Sequence, residues 1–209
     1  MQIIRLERVR SRPPRVRIHV EDGPPLVVSD EVIARFAVGV GDELGTARWE
    51  EIRRAQESGE ARRIAINYLS YRPRSEREVV RHLVGKKIAE EVAEQTAARL
   101  RSLQMIDDDA FARMFVRDRL RRGGHGPGLL RQLLIQKGVA RAIVDHVVPE
   151  LASEENQRTA AVALARGRLR RSSGRKEDAL RRRKRLYDLL LRRGFSNDIA
   201  RAALQLLKV

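Results

Sequence analysis

The residue pattern is that of a mainly α protein: an elongated array of three tandem three-helix repeats with a small N-terminal β-hairpin extension. One basis is recurrence. Leu83, Ile88 and Val92 lie 51 residues before Leu134, Val139 and Ile143, which lie 56 residues before Leu190, Phe195 and Ile199 with identical internal spacing. Self-similarity at such a period marks stacked supersecondary units. A second basis is the helical period from Thr46 onward, which puts Ala61, Ile64, Ala65, Tyr68 and Leu69 on one face. A third is the different period before it. Val16, Ile18 and Val20 alternate with Arg17, His19 and Glu21, and Asp22-Gly23-Pro24-Pro25 then turns the chain into Leu26-Val27-Val28.

Taken in order, residues 1–45 form the extension: the hairpin, with Ile3 to Val9 as a further strand, and a short helix from Asp30 to Phe36 stopped by Gly39-Val40-Gly41-Asp42. Residues 46–106 hold a linker helix and the first repeat. Pro73 ends its first helix, and Ser75 with Glu78 forms a capping box that opens the second. That helix carries Val79, Val80, Leu83 and Val84. After a break at Gly85-Lys86-Lys87, the third carries Val92, Ala93, Thr96, Ala97 and Leu100. Residues 107–151 form the second repeat, in which Asp107-Asp108-Asp109 starts a helix, Gly123-Gly124-His125-Gly126 makes a turn and Pro127 takes a first helical position. Its next helix should bury Leu130, Leu133 and Leu134. Residues 152–209 form the third, with a longer basic connection, Ser172-Ser173-Gly174-Arg175-Lys176, and a last stripe of Ile199, Ala202, Ala203, Leu206 and Leu207.

Composition narrows the function. Hydrophobic residues make up 42% and charged residues 34%, enough apolar content for a core under a heavily solvated surface. The absence of cysteine removes disulfides, thiolate metal sites and cysteine nucleophiles. The N-terminus lacks a signal-peptide apolar region and no window approaches ~18 uninterrupted apolar residues, so a soluble cytoplasmic protein without membrane contact is expected. His19, His82, His125 and His146 show no metal-ligand spacing, and no phosphate-binding loop, dinucleotide fingerprint or nucleophile elbow occurs. No enzymatic activity, metal or cofactor is expected.

Charge points elsewhere. Residues 1–60 hold 10 basic and 11 acidic side chains, whereas residues 61–209 hold 34 and 17, a net of +17. A field of that sign attracts nucleic acid, an anionic membrane or an acidic protein surface. Cations recur at equivalent helix ends: Arg72, then Arg121 and Arg122, then Arg170 and Arg171 after the first helices, and Lys86 and Lys87, then Lys137, then Arg192 and Arg193 after the second. One cation per end would already satisfy the helix dipole, worth ~0.3–1 kcal/mol, so the surplus suggests binding. The run Arg181-Arg182-Arg183-Lys184-Arg185 exceeds one helical turn, and part of it must be a solvated face. Phe111, Phe115, Tyr187 and Phe195 fall on apolar stripes, which leaves phosphate contact rather than base stacking as the mode for any nucleic acid.

Tyr68-Leu69-Ser70-Tyr71-Arg72-Pro73-Arg74-Ser75-Glu76-Arg77-Glu78-Val79, then Ile106-Asp107-Asp108-Asp109-Ala110-Phe111-Ala112, then Leu133-Leu134-Ile135-Gln136-Lys137-Gly138-Val139 together resemble the RecX family of bacterial recombination regulators. The resemblance covers about residues 61–209, and the hairpin is similar to the extension of longer members. Lys87 departs from it, standing where the later units have Gly138 and Gly194, and the third unit keeps the pattern loosely. The resemblance implies a regulator without chemistry of its own, and a monomer is expected. It would lodge in the groove of the RecA nucleoprotein filament and lower strand exchange, ATP hydrolysis and co-protease activity. Candidate contacts to RecA or to single- or double-stranded DNA are Arg72, Arg74, Lys86 and Lys87 in the first unit, Arg121, Arg122 and Lys137 in the second, and Arg181, Arg182, Arg183, Lys184 and Arg185 in the third. A free-standing, sequence-independent DNA-binding protein and a helical scaffold for an acidic partner fit the same charge and repeats.

Overall fold

The computed structural model describes residues 1–172 and 178–208. The basic connection anticipated at Ser172 to Lys176 lies, from Ser173 onward, outside the described residues. Contacts divide the chain into two compact units, Met1–Tyr71 with Val80–Arg99, and Arg72–Val79 with Leu100–Val209.

In the first unit, strands β1 (Ile3–Val9), β2 (Arg15–Val20) and β3 (Leu26–Ser29) form an antiparallel sheet in the order β1-β2-β3. The hairpin is as anticipated, with Val16 opposite Val28 and Ile18 opposite Leu26. The further strand joins its other edge. Period-two alternation sends Val16, Ile18 and Val20 into the core and leaves Arg15, Arg17 and His19 half-exposed. Helix α1 (Asp30–Phe36) starts where Ser29 Oγ accepts from the Val32 amide at 3.4 Å, an N-cap interaction. The long helix α2 (Thr46–Ser70) follows. Ile52 closes the sheet cluster with Ile3, Ile18 and Val28, while Ala61 and Ala65 are buried further along.

The remaining helices are α3 (Glu76–Gly85), α4 (Glu90–Ser102), α5 (Asp108–Arg122), α6 (Pro127–Gln136), α7 (Arg141–Leu151), α8 (Glu154–Ser172), α9 (Ala179–Arg192) and α10 (Asn197–Leu206). In the second unit α5 packs on α7 and α8 on α10. Phe111, Phe115, Val116, Leu130 and Leu134 belong to one core cluster, and Leu186, Leu190, Phe195 and Ile199 to another. Two sequence assignments shift. Val84 is 43% exposed because it stands one residue, about 100° of helical rotation, beyond Leu83. In α10 the buried face is Ile199, Ala200, Ala203 and Leu204, and Leu206 is 68% exposed, so the stripe lies one residue from its assigned position.

The repeat is built into the backbone. Ile88, Val139 and Phe195 donate their amides to Leu83, Leu134 and Leu190 at 3.2, 3.1 and 3.1 Å, and Lys87, Gly138 and Gly194 donate to Val84, Ile135 and Leu191 at 2.9, 2.8 and 2.9 Å. This pair of bonds is the Schellman closure, which needs a left-handed residue just past the helix. The three residues have φ of 67°, 86° and 81°. Only Lys87 has a Cβ there, a conformation costing an L-residue roughly 1–2 kcal/mol. Lys87→Gly is therefore expected to stabilise the chain by about 0.5–1 kcal/mol after the added freedom of the unfolded chain is subtracted, seen as a rise of a few degrees in melting temperature. A lower melting temperature would show that the Lys87 side chain has a compensating contact.

Candidate partner interface

The α3 start shows how the sequence commits some cations to folding. Ser75 is fully buried; its Oγ accepts from the Glu78 amide at 3.2 Å, and the Ser75 amide donates to the Glu78 carboxylate at 3.4 Å, which completes the capping box. The same hydroxyl donates to the Lys137 carbonyl at 2.6 Å, and Lys137 Nζ reaches Glu78 at 2.6 Å. Arg72 approaches that carboxylate at 3.7 Å. Burial alone would raise the Glu78 pKa, but the hydrogen bond and charge of Lys137, with the Ser75 amide and Arg72, hold it below the ordinary value. Lys137 also stands 5.9 Å from the centre of the Phe115 ring. It is half-buried and paired, whereas the sequence marks it as a helix-end contact for a partner.

The aspartate triplet divides its duties. Asp107 caps α5 by accepting from the Asp109 and Ala110 amides at 2.9 and 3.0 Å, Asp108 accepts from the Glu76 amide at 2.9 Å, and Asp109 binds Arg113 at 2.5 Å. Burial pushes the Asp108 pKa up despite that amide. Among the described residues no group of three or more acidic or histidine side chains is placed to hold a metal ion. No helix among them is long and apolar enough to cross a membrane.

The other candidates lie at or near helix ends. Lys86 and Lys87 are exposed just past α3 and ion-pair with no carboxylate among the described residues. Arg121 and Arg122, exposed at the end of α5, both reach Asp118 at 3.1 Å and hold its carboxyl below the usual range against the effect of burial. Arg74 is half-buried between α2 and α3. In α9, Arg181, Arg183 and Lys184 are exposed and Arg182 and Arg185 half-buried, so the run divides between faces as its length requires.

The structure adds further basic residues to these candidates. Arg168 and Arg171 of α8 line a depression with Arg185 and Arg192 of α9 and with Arg193, above Leu164 and Leu189. An adjoining depression is lined by Arg181, Lys184, Arg185, Asp188 and Arg192. The signal was available: Leu164, Arg168 and Arg171 stand at i, i+4 and i+7, as Arg181, Arg185 and Leu189 stand at i, i+4 and i+8. The glycine-rich turn also has a second role. The Gly126 amide donates to the Arg193 carbonyl at 2.7 Å and the Gly128 amide to Gly194 at 2.9 Å, a backbone-to-backbone seam between the second and third helical trios.

Comparison with known proteins agrees with this layout. Residues 61–100, 107–148 and 155–204 match the first, second and third three-helix domains of RecX. Regulatory protein RecX of Enterococcus faecalis is 33% identical over 188 residues, 89% of this chain and 69% of that protein. The Lactobacillus gasseri protein of the same name is 32% identical over 155 residues, 74% of this chain, and the match spans 57% of its length. A crystal structure of regulatory protein RecX superposes with a TM-score of 0.73 at 28% identity, covering 99% of this chain and 98% of that one. RecX from Lactobacillus salivarius gives 0.65 at 27%, covering 74% and 98%. With three domains matched in order and a relative one-third identical over most of its length, the chain belongs to the RecX family of regulatory proteins.

Proposed function

We propose that this chain is a negative regulator of the RecA recombinase that binds in the groove of the RecA–DNA filament and lowers strand exchange, ATP hydrolysis and co-protease activity. It acts as a cytoplasmic monomer and contributes no chemistry. The observation that carries this reading is the coincidence of family membership with a net +17 on residues 61–209, the part that holds the three helical domains. A filament of protein on DNA offers an extended anionic surface, and tandem helical units offer repeated contacts along it. Lys86 and Lys87 are the cations of the first helical domain best suited to that contact, being exposed and not ion-paired to any described carboxylate.

The test is titration of RecA ATPase and strand exchange on preformed nucleotide-bound filaments, beside binding to bare DNA, at two salt concentrations. The wild-type chain is expected to inhibit both activities, and Lys86→Glu with Lys87→Glu to relieve inhibition by tenfold or more in half-maximal concentration, while bare-DNA affinity falls less. If inhibition and bare-DNA affinity fall by the same factor, the edge is a general polyanion site. The second reading, a free-standing DNA-binding protein acting through phosphates, then replaces the first; the arginine-lined depressions of the third domain favour it.

A further inference from the structure

We propose that the cleft between α8 and α9 is a phosphate-binding site for a nucleic-acid strand, with Arg168 and Arg171 on one wall and Arg181, Arg185, Arg192 and Arg193 on the other. It rests on the proposed function only in that the filament contains nucleic acid, and it assigns the backbone contact to the third domain.

Helical spacing makes the row. Arg181, Arg185 and Arg192 are four and seven residues apart on α9, and Arg168 and Arg171 three apart on α8, so each set projects from one side of its helix. The two sets converge on a floor of Leu164 and Leu189, both half-buried. Like charges at i, i+4 are destabilising by ~0.2–0.5 kcal/mol per pair, and an apolar floor lowers the effective dielectric around them. Asp188 is the one carboxylate among the residues lining the two depressions. Arg168, Arg171, Arg192 and Arg193 have no ion pair with any described residue. A dipole contact at the ends of α8 and α9 explains one cation at each, not a wall of them.

The ligand class follows from the residue type and its distribution. Guanidinium forks match phosphate oxygens in pairs. Twelve residues of α9, from Arg181 to Arg192, span about 16 Å, enough to follow several successive phosphates of one strand. An acidic protein surface is the weaker match, because protein–protein interface centres are depleted in charge whereas nucleic-acid interfaces are polar and strongly positive. With Tyr187 partly buried against the third-domain core and Phe195 within it, the cleft has no aromatic platform among these residues, so recognition is independent of sequence.

The experiment uses the whole chain without RecA and a labelled 20-nucleotide single strand, titrated at several salt concentrations. Arg168→Gln, Arg171→Gln and Arg192→Gln combined should weaken binding at least tenfold and flatten the plot of log affinity against log salt by about 2, since each phosphate contact on a single strand contributes about 0.7. The melting temperature should stay level or rise, because a repulsive row has been neutralised. Arg8→Gln with Arg10→Gln, exposed at the end of β1 and outside every candidate contact, should leave the salt slope in place. Unchanged affinity and slope in the triple variant would overturn the site while leaving RecA inhibition to be judged separately. A polyglutamate peptide of equal charge that competes as well as the oligonucleotide would reassign the cleft to an acidic protein surface. If wild-type chain binds the oligonucleotide through these arginines yet fails to inhibit RecA filaments, the cleft stands and the regulator reading falls.

Discussion

Gly194→Ala is expected to destabilise the third helical domain by about 2–5 kcal/mol, the sum of a left-handed backbone penalty of ~1–2 and an overpacking cost of ~1–3. The residue closes α9 at φ 81°, and a methyl group there would overlap the Leu129 amide nitrogen and lie 2.8 Å from its Cβ. Neither neighbour can step aside. The Leu129 nitrogen is backbone in the first turn of α6, and Gly128 and Gly126, which flank Pro127, donate amides to Gly194 and Arg193. Gly126→Ala should act similarly from the other side, since its Cβ would overlap the Gly194 carbonyl carbon. The internal control is Gly167→Ala in α8, where a Cβ meets nothing within 4 Å; it should stabilise by roughly 0.5–1 kcal/mol as a mid-helix glycine is replaced. Thermal melting should separate the pair by roughly 10 °C or more for a chain of this size. Amide exchange should show faster opening in α9 and α10 of the Gly194 variant. If Gly194→Ala melts like wild type, the seam between the second and third trios is looser than these distances require.

What was legible in the sequence was local and periodic. The capping box at Ser75 and Glu78, Pro127 at the start of α6 and the burial of Leu83, Leu134 and Leu190 all follow from short-range spacing, and each is found in the fold. Lys87 stands out in the sequence as the departure from two glycines, and its positive φ is the physical content of that departure. The pairings across sequence were not legible. Lys137 reads as one more cation at a helix end, and nothing local shows that Glu78, 59 residues earlier, accepts from it. The same holds for Gly126 and Gly128, which read as turn residues because a turn explains glycine without reference to residues 193 and 194. The α10 stripe was displaced by one residue because Ala200, Ala202 and Ala203 give apolar periodicity no size contrast to discriminate between adjacent faces.

Lys137→Glu is expected to cost about 3 kcal/mol, far more than the same reversal at Lys86, because it removes the partner of a carboxylate whose side chain is only 12% exposed and sets a second carboxylate beside it. Arg72, at 3.7 Å and nearly half-exposed, is left as the one cation paired with Glu78 among the described residues and is screened by solvent. The dependence on pH distinguishes this cause from lost packing against Phe115. In the wild type the folded Glu78 pKa lies below its unfolded value, so the pair's contribution is present in full above that unfolded value, ~4.3, and fades as pH falls through the folded one. In the variant, two facing carboxylates raise one another's pKa, so protonation relieves repulsion and the variant gains relative stability on acidification. The gap between the two chains measured by urea unfolding should therefore be widest near pH 7 and narrow steadily toward pH 4. Lys137→Met keeps the aliphatic stem against Phe115 without adding charge, and should lose less at pH 7. A gap that stays constant with pH would assign the loss to packing. In either case, any functional loss in a Lys137 charge reversal reports first on the fold of the α3 start, whereas Lys86 and Lys87 are exposed positions at which the same reversal leaves that start intact.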